Sequence, residues 1–175
     1  MIETPKTILE WSQVTFGTRS PLRIATRGSK EVNELMCAIL DDGEAGAIHE
    51  EMADCAIMLW QVAEILGAHP QPDFIVPSSP ERVGRKSWAI KLQSRTTVLL
   101  SELSLPGGPS GPAVNVLEDV LKVLGLLSWA FGIDLQDHVN AKMRINRARS
   151  WAQLSNGSYQ HVEHSACQQP AASPS

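Results

Sequence analysis

From Glu31 to Glu81 the chain carries no lysine or arginine, yet residues 31–54 hold eight carboxylates: Glu31, Glu34, Asp41, Asp42, Glu44, Glu50, Glu51 and Asp54. Like charges at this density repel one another, so either water screens them or a cation neutralises them. The block also runs into apolar chain. Asp54 sits among Met52, Ala53, Cys55, Ala56, Ile57, Met58, Leu59 and Trp60, a stretch apolar nearly all round, which predicts a buried helix. A buried carboxylate without a partner costs on the order of several kcal/mol, or it takes up a proton. The fold must therefore bring something to Asp54.

Periodicity predicts an all-α chain of about five helices in a single domain, residues 1–154. Residues 1–21 hold Pro5, Gly17 and Pro21 and read as an N-terminal arm, extended with turns. A first helix is predicted over 22–41, with Val32, Leu35, Met36, Ile39 and Leu40 at helical spacing. Asp41-Asp42-Gly43 ends it, and a second helix runs over 44–67, closed by Gly67 with Pro70 behind it. Residues 68–84 read as a proline-rich loop, 85–103 as a third helix, and Pro106–Pro112 as a flexible break. A fourth helix fits 113–131, closed by Gly132, and a fifth, capped by Asp134, fits 135–152. From Ser155 to Ser175 no apolar period remains, and this tail is predicted to be disordered. The second and fourth helices echo each other, each with an acidic start, an apolar body and a glycine stop. A duplicated helix pair and the ordinary likeness of buried helices both explain this.

Composition narrows the class. The formal charge is −4, and no basic excess points to nucleic acid. Cys37, Cys55 and Cys167 are odd in number and follow no metal-ligand or CxxC spacing, which fits a reducing compartment. The N-terminus shows no basic-then-apolar signal pattern. The longest apolar run, Val120–Ile133, is too short to span a bilayer of roughly 30 Å. A cytoplasmic protein without membrane or nucleic-acid partners is expected.

The acids carry the chemistry. Glu31 and Glu34 are three apart on the first helix, and Glu51 and Asp54 are three apart on the second, so each pair shares one helix face. Short connections make consecutive helices antiparallel neighbours. If both pairs face the shared groove, four carboxylates converge, and hard divalent cations with oxygen ligands, Mg²⁺ or Mn²⁺, are their natural partners. Glu50, four residues before Asp54, is a further candidate ligand or outer partner. The plainer alternative has the glutamates solvated and Asp54 met by an arginine from elsewhere.

Glu31-x-x-Glu34, sixteen residues, then Glu51-x-x-Asp54 resembles the signature of the MazG-like all-α nucleoside triphosphate pyrophosphohydrolases. His49–Asp54 matches that family's second motif. Gly132-Ile-Asp-Leu and Lys142-Met-x-x-x-Asn146-Arg-Ala-Arg149-Ser-Trp151 resemble its closing helix. Trp11-Ser-x-x-Thr15-Phe-Gly17 resembles the arm of the phage and bacterial branch that acts on purine deoxynucleotides, of which the phage MazZ type is most similar. The resemblance covers about residues 8–67 and 113–152. It departs from the compact family pattern in the insertion 68–112, and it leaves open whether Asp119 joins the acids.

The resemblance implies cleavage of (d)GTP to (d)GMP and pyrophosphate, in control of the purine deoxynucleotide pool. It also implies Mg²⁺ or Mn²⁺, about two or three per site, and a dimer or tetramer. Glu31, Glu34, Glu50, Glu51 and Asp54 are then the candidate metal ligands, with Glu31 as general base and Lys142 as a catalytic cation. Lys142, Asn146 and Arg149 lie along one face of the last helix, ready for phosphate oxygens. An ordinary solvated basic face is the alternative, and Arg144 and Arg147 fit it better. Trp11 is placed to stack on a purine and Ser12 to read its edge, against the alternative of an arm packed on the core. Trp60, Trp88 and Trp129 are expected in core or subunit packing. The apolar faces of the second and fourth helices suggest a homo-oligomer, a tetramer rather than a dimer. A phage protein in the bacterial host cytoplasm is the matching location. Two rivals stand: the same chemistry on dATP, dUTP or a phosphoribosyl nucleotide, and a non-enzymatic helical scaffold that binds cations only structurally.

Overall fold

A computed structural model of the chain describes residues 2–68, 84–107, 111–155 and 159–162. Within them lie six helices: α1 (Pro5–Phe16), α2 (Pro21–Leu40), α3 (Ala45–Leu66), α4 (Arg85–Leu103), α5 (Gly111–Ala130) and α6 (Leu135–Ala148). A short antiparallel pair, β1 (Ser150–Gln153) and β2 (Tyr159–Val162), follows, with Trp151 opposite His161. No helix among the described residues is long and apolar enough to cross a membrane.

The helix α1 overturns the expected extended arm. Pro5 occupies the first turn, where its missing N–H has no intrahelical partner to lose. Thr4 and Thr7 form a reciprocal cap: the Thr7 backbone N–H donates to Thr4 Oγ1 at 3.2 Å, and the Thr4 N–H to Thr7 Oγ1 at 2.8 Å. The residues read as breakers are therefore helix boundaries. The same holds for Gly111-Pro112, expected in a flexible break but standing at the head of α5. The predicted fifth helix stops at Ala148, before 152, because Ser150–Gln153 pairs as a strand. That pairing also corrects the expected disordered tail at residues 159–162. The remainder of the tail beyond Val162, and most of the 68–84 loop, lie outside the described residues.

α3 is the central helix. It packs on α2, α1, α6 and α5, while α4 closes against α2 and α5. Its buried residues run nearly round the helix and include Met52, Cys55, Ala56, Leu59, Val62 and Ala63, as the apolar stretch predicted. Gly67 closes it in the left-handed region (φ 65°). α2 is amphipathic, burying Ile24, Ala25, Gly28, Val32, Leu35 and Ile39. Gly28 sets how closely α2 and α3 approach, since a Cβ there would stand 3.2 Å from the Met58 Cβ. The contact lies one turn from Glu31 and one turn from Asp54, so it governs the spacing of the acids. Trp60 and Trp88 are half-buried against the core, as expected. α3 and α5 share the glycine stop of the sequence echo, but α5 brings no acids to the site. Its Asp119 is exposed and faces Arg95 of α4 at 4.0 Å.

The N-terminal segment is pinned to α6. Glu3, 4% exposed, accepts from Arg147 Nε and Nη2, each at 2.9 Å, and from Thr7 Oγ1 at 2.8 Å. Its backbone N–H donates to Asn140 Oδ1 at 2.8 Å. This lock, rather than a solvated basic face, is the role of Arg147, and it fixes α1 beside α3 and α6.

Candidate active site

The antiparallel α2–α3 pair brings Glu31, Glu51 and Asp54 together, with one carboxylate oxygen from each within 4.8 Å of the others. Their surroundings oppose ionisation. Burial, then the neighbouring Asp54, pushes the Glu31 carboxyl up to about 7. Burial first, with the Asp54 charge second, raises Glu51 as well. Burial raises Asp54 even though Lys142 opposes it. Glu51 Oε2 is buried and accepts no hydrogen bond from the described residues.

Cations from α6 and from α2 itself meet these acids. Lys142 Nζ on α6 donates to Asp54 at 2.7 Å and lies 3.8 Å from the exposed Glu50. Arg27 Nε stands 3.7 Å from Glu31. Glu34 is one step outside the group. It accepts from Lys30 Nζ at 2.7 Å, and that bond, with one from Glu31, holds its carboxyl below the ordinary range. The partner of Asp54 is thus a lysine, where the plainer reading had an arginine.

A cavity of about 240 Å³ opens above the acids. Of the residues singled out from sequence, it is lined by Glu31, Asp54, Lys142, Asn146, Arg149, Trp11 and Ser12. Glu51 belongs to the acid group, while Glu34 and Glu50 sit at its margin. Asn146 is buried and joins α6 to β1: its Oδ1 accepts from Arg149 at 3.2 Å and its carbonyl from Trp151 Nε1 at 3.1 Å. One wall is aromatic. Trp11, Phe16 and Trp151 meet edge to face, with centroids 5.0–6.4 Å apart. Trp11 is also half-buried against the core, so the packing alternative describes it too.

Sequence reasoning assigned no role to several lining groups. Arg19, Arg27 and Lys30, which precede the acidic block in sequence, line the same cavity. Arg19 lies over the Phe16 and Tyr159 rings, at 5.0 and 5.5 Å from their centroids, and burial, then Arg23 and Arg27, lowers its pKa. Gln61 was missed altogether, although a lone amide in an apolar helix seven residues after Asp54 was a visible signal.

A larger cavity, about 820 Å³, lies elsewhere, beside Arg85, Lys86, Trp129 and Phe131. Its two cations are engaged, Lys86 with Asp42 at 2.8 Å and Arg85 with the Ala130 carbonyl at 3.1 Å. It holds no pooled acids, so the smaller cavity is the candidate active site. His49 and His138 pair at 4.9 Å between ring centroids, in no ligand arrangement with the acids.

A phage enzyme resembles part of this chain. Over 44 residues, 25% of the chain, it is 43% identical to a dATP/dGTP diphosphohydrolase of cyanophage S-2L. The match spans 42% of that protein's length. No family model matches the chain, and no solved structure does. The shared segment supports a relationship to nucleotide pyrophosphohydrolases.

Proposed function

We propose that this protein is a MazG-like nucleoside triphosphate pyrophosphohydrolase of the MazZ type, cleaving (d)GTP between the α and β phosphates to (d)GMP and pyrophosphate. The observation that carries the reading is the acid group itself: three converging carboxylates, one with a buried oxygen lacking a donor, at the foot of a cavity rimmed by cations. An all-oxygen set of this kind fits Mg²⁺ or Mn²⁺. Glu31, Glu51 and Asp54 would hold the ion, and Glu34 and Glu50 are the further candidate ligands. When bound, such ions polarise phosphate oxygens and lower the pKa of a coordinated water.

The chain's own groups supply the rest. Glu31 accepts the proton of the attacking water. Lys142, Asn146 and Arg149 hold phosphate oxygens from the α6 side, and Arg27 and Lys30 do so from α2. Trp11 stacks on the base, and Ser12 offers a hydroxyl to its edge. Assembly as a homotetramer and work in the host cytoplasm on the purine deoxynucleotide pool belong to the same proposal. The assembly rests on the resemblance, because most apolar side chains of α3 and α5 are already buried within one chain.

The test is pyrophosphate release from a panel of triphosphates with Mn²⁺ or Mg²⁺. Release from (d)GTP, lost in Glu51→Gln and reduced in Glu34→Ala, is expected. No release from any common triphosphate rejects the enzyme and leaves the cation-binding scaffold, for which metal raises Tm without turnover. Preference for dATP is a second reading, favoured by the name of the cyanophage relative. Preference for dUTP or a phosphoribosyl nucleotide would overturn the purine assignment alone.

A further inference from the structure

Gln61 is the chemical exception on the buried face of α3. It is 2% exposed, and its neighbours Ala56, Ile57, Leu59, Val62 and Ala63 are apolar. Its Nε2 donates to the Ile57 carbonyl at 2.9 Å and lies 3.9 Å from the Met58 sulfur. These contacts occupy the amide hydrogens and fix which way the amide faces. Oε1 is left buried with no donor among the described residues. An orphaned acceptor of this kind is destabilising relative to an apolar residue of the same shape. Leucine or methionine would pack here without that penalty.

Gln61 also lines the cavity above the acids. Gln61 is seven residues after Asp54, two turns along one face of α3, hence about 10.5 Å further along the axis. A nucleotide with its α phosphate at Asp54 spans that distance with its sugar and brings its base to Gln61, beside Trp11 and Trp151. Met58 lines the same space, and its unbranched thioether can swing aside as a base enters.

Resting on the proposed pyrophosphohydrolase reading, we infer that Gln61 is a specificity-determining residue whose Oε1 accepts from the 2-amino group of guanine. A glutamine reads adenine with both halves of its amide, accepting from the 6-amino group and donating to a ring nitrogen. Here the donor half is held by the Ile57 carbonyl, so Gln61 presents an acceptor alone. The N1–H and 2-amino edge of guanine is donor only and matches it. Adenine bound in the same orientation carries only a C–H at position 2 and offers this acceptor no donor there.

The experiment compares kcat/KM for dGTP, dITP (which lacks the 2-amino group) and dATP in wild type and Gln61→Met. Wild type should favour dGTP over dITP by about 10-fold or more. In Gln61→Met that ratio should fall to near one, through loss on dGTP while dITP is unchanged. The melting temperature should hold or rise, because the orphaned acceptor is gone. Binding of dGMP against dIMP, read by quenching of tryptophan fluorescence, should lose the same preference. An unchanged dGTP/dITP ratio, an equal fall on both substrates, or a wild type that prefers dATP would overturn the inference while leaving the hydrolase intact. A wild type that hydrolyses none of the three, and shows no preference for dGMP, overturns both.

Discussion

Helix α6 pairs an arginine with a buried acid and a lysine with a half-buried one, and the two pairs are built on opposite principles. At Arg147 and Glu3 every charge is matched. Two short parallel hydrogen bonds, a threonine hydroxyl and backbone anchors leave the carboxylate satisfied, and the Arg147 bond holds Glu3 below its ordinary pKa. At Lys142 and Asp54 the count fails. One lysine faces Asp54, with Glu31 and Glu51 beside it, and all three carboxyls are pushed up rather than down. The first site is a lock, complete in itself. The second is short of positive charge where α2 and α3 come closest, and that shortfall suits a cation-dependent site.

Breaking each side separately sharpens the contrast. The largest effect is expected from Glu51→Gln, which should cut pyrophosphate release about 100-fold or more. In EDTA the same change should leave Tm unchanged or higher, because it thins a crowd of like charges. Arg147→Ala should do the reverse. It strands Glu3 and should cost about 1–3 kcal/mol of stability in denaturant titration, with Mn²⁺ binding retained.

The pH dependence of the two sites should be opposite in sign. Glu31 is raised to about 7, so between the ordinary carboxylate range and neutrality the folded chain holds a proton that the unfolded chain has released. Its contribution is present at low pH and lost as pH climbs through 7. Glu3 is lowered, so its contribution is present at neutral pH and lost in acid. In EDTA, thermal melts of the Arg147→Ala variant, which lacks the lock, should fall from pH 5 to pH 8. Added Mn²⁺ should raise Tm more at pH 8 than at pH 5, since it binds the deprotonated acids.

The smallest change in stability is expected from Gly28→Ala. Better helix propensity, worth about 1 kcal/mol, offsets a tight Cβ contact with Met58, so Tm should barely move. Activity should still drop several-fold as α2 and α3 part, because the acids lie next to that contact. Arg147 and Glu3 lie away from it and should be indifferent.

What was legible in the sequence followed from local signals. α2 to α5 and the face-sharing acids come from apolar spacing, glycine stops and the three-residue intervals Glu31–Glu34 and Glu51–Asp54. α1 was misread because Pro5 and Gly17 mark a break and a helix boundary alike, and only the Thr4–Thr7 cap decides between them. The tie of Glu34 to Lys30 was within reach, being four apart on one helix, but a charge block counted from Glu31 begins one residue too late to include it. The pairing of Lys142 with Asp54, 88 positions apart in sequence (142 − 54), depends on how α6 docks on α3, and no local pattern encodes that.

Mn²⁺ binding, followed by electron paramagnetic resonance in wild type and Glu51→Gln, tests the acid group most directly. Saturable binding in wild type that weakens about 10-fold or more in the variant is the expected result. Wild type that leaves Mn²⁺ free in solution, or binds it no better than Glu51→Gln does, would contradict a shared cation between α2 and α3.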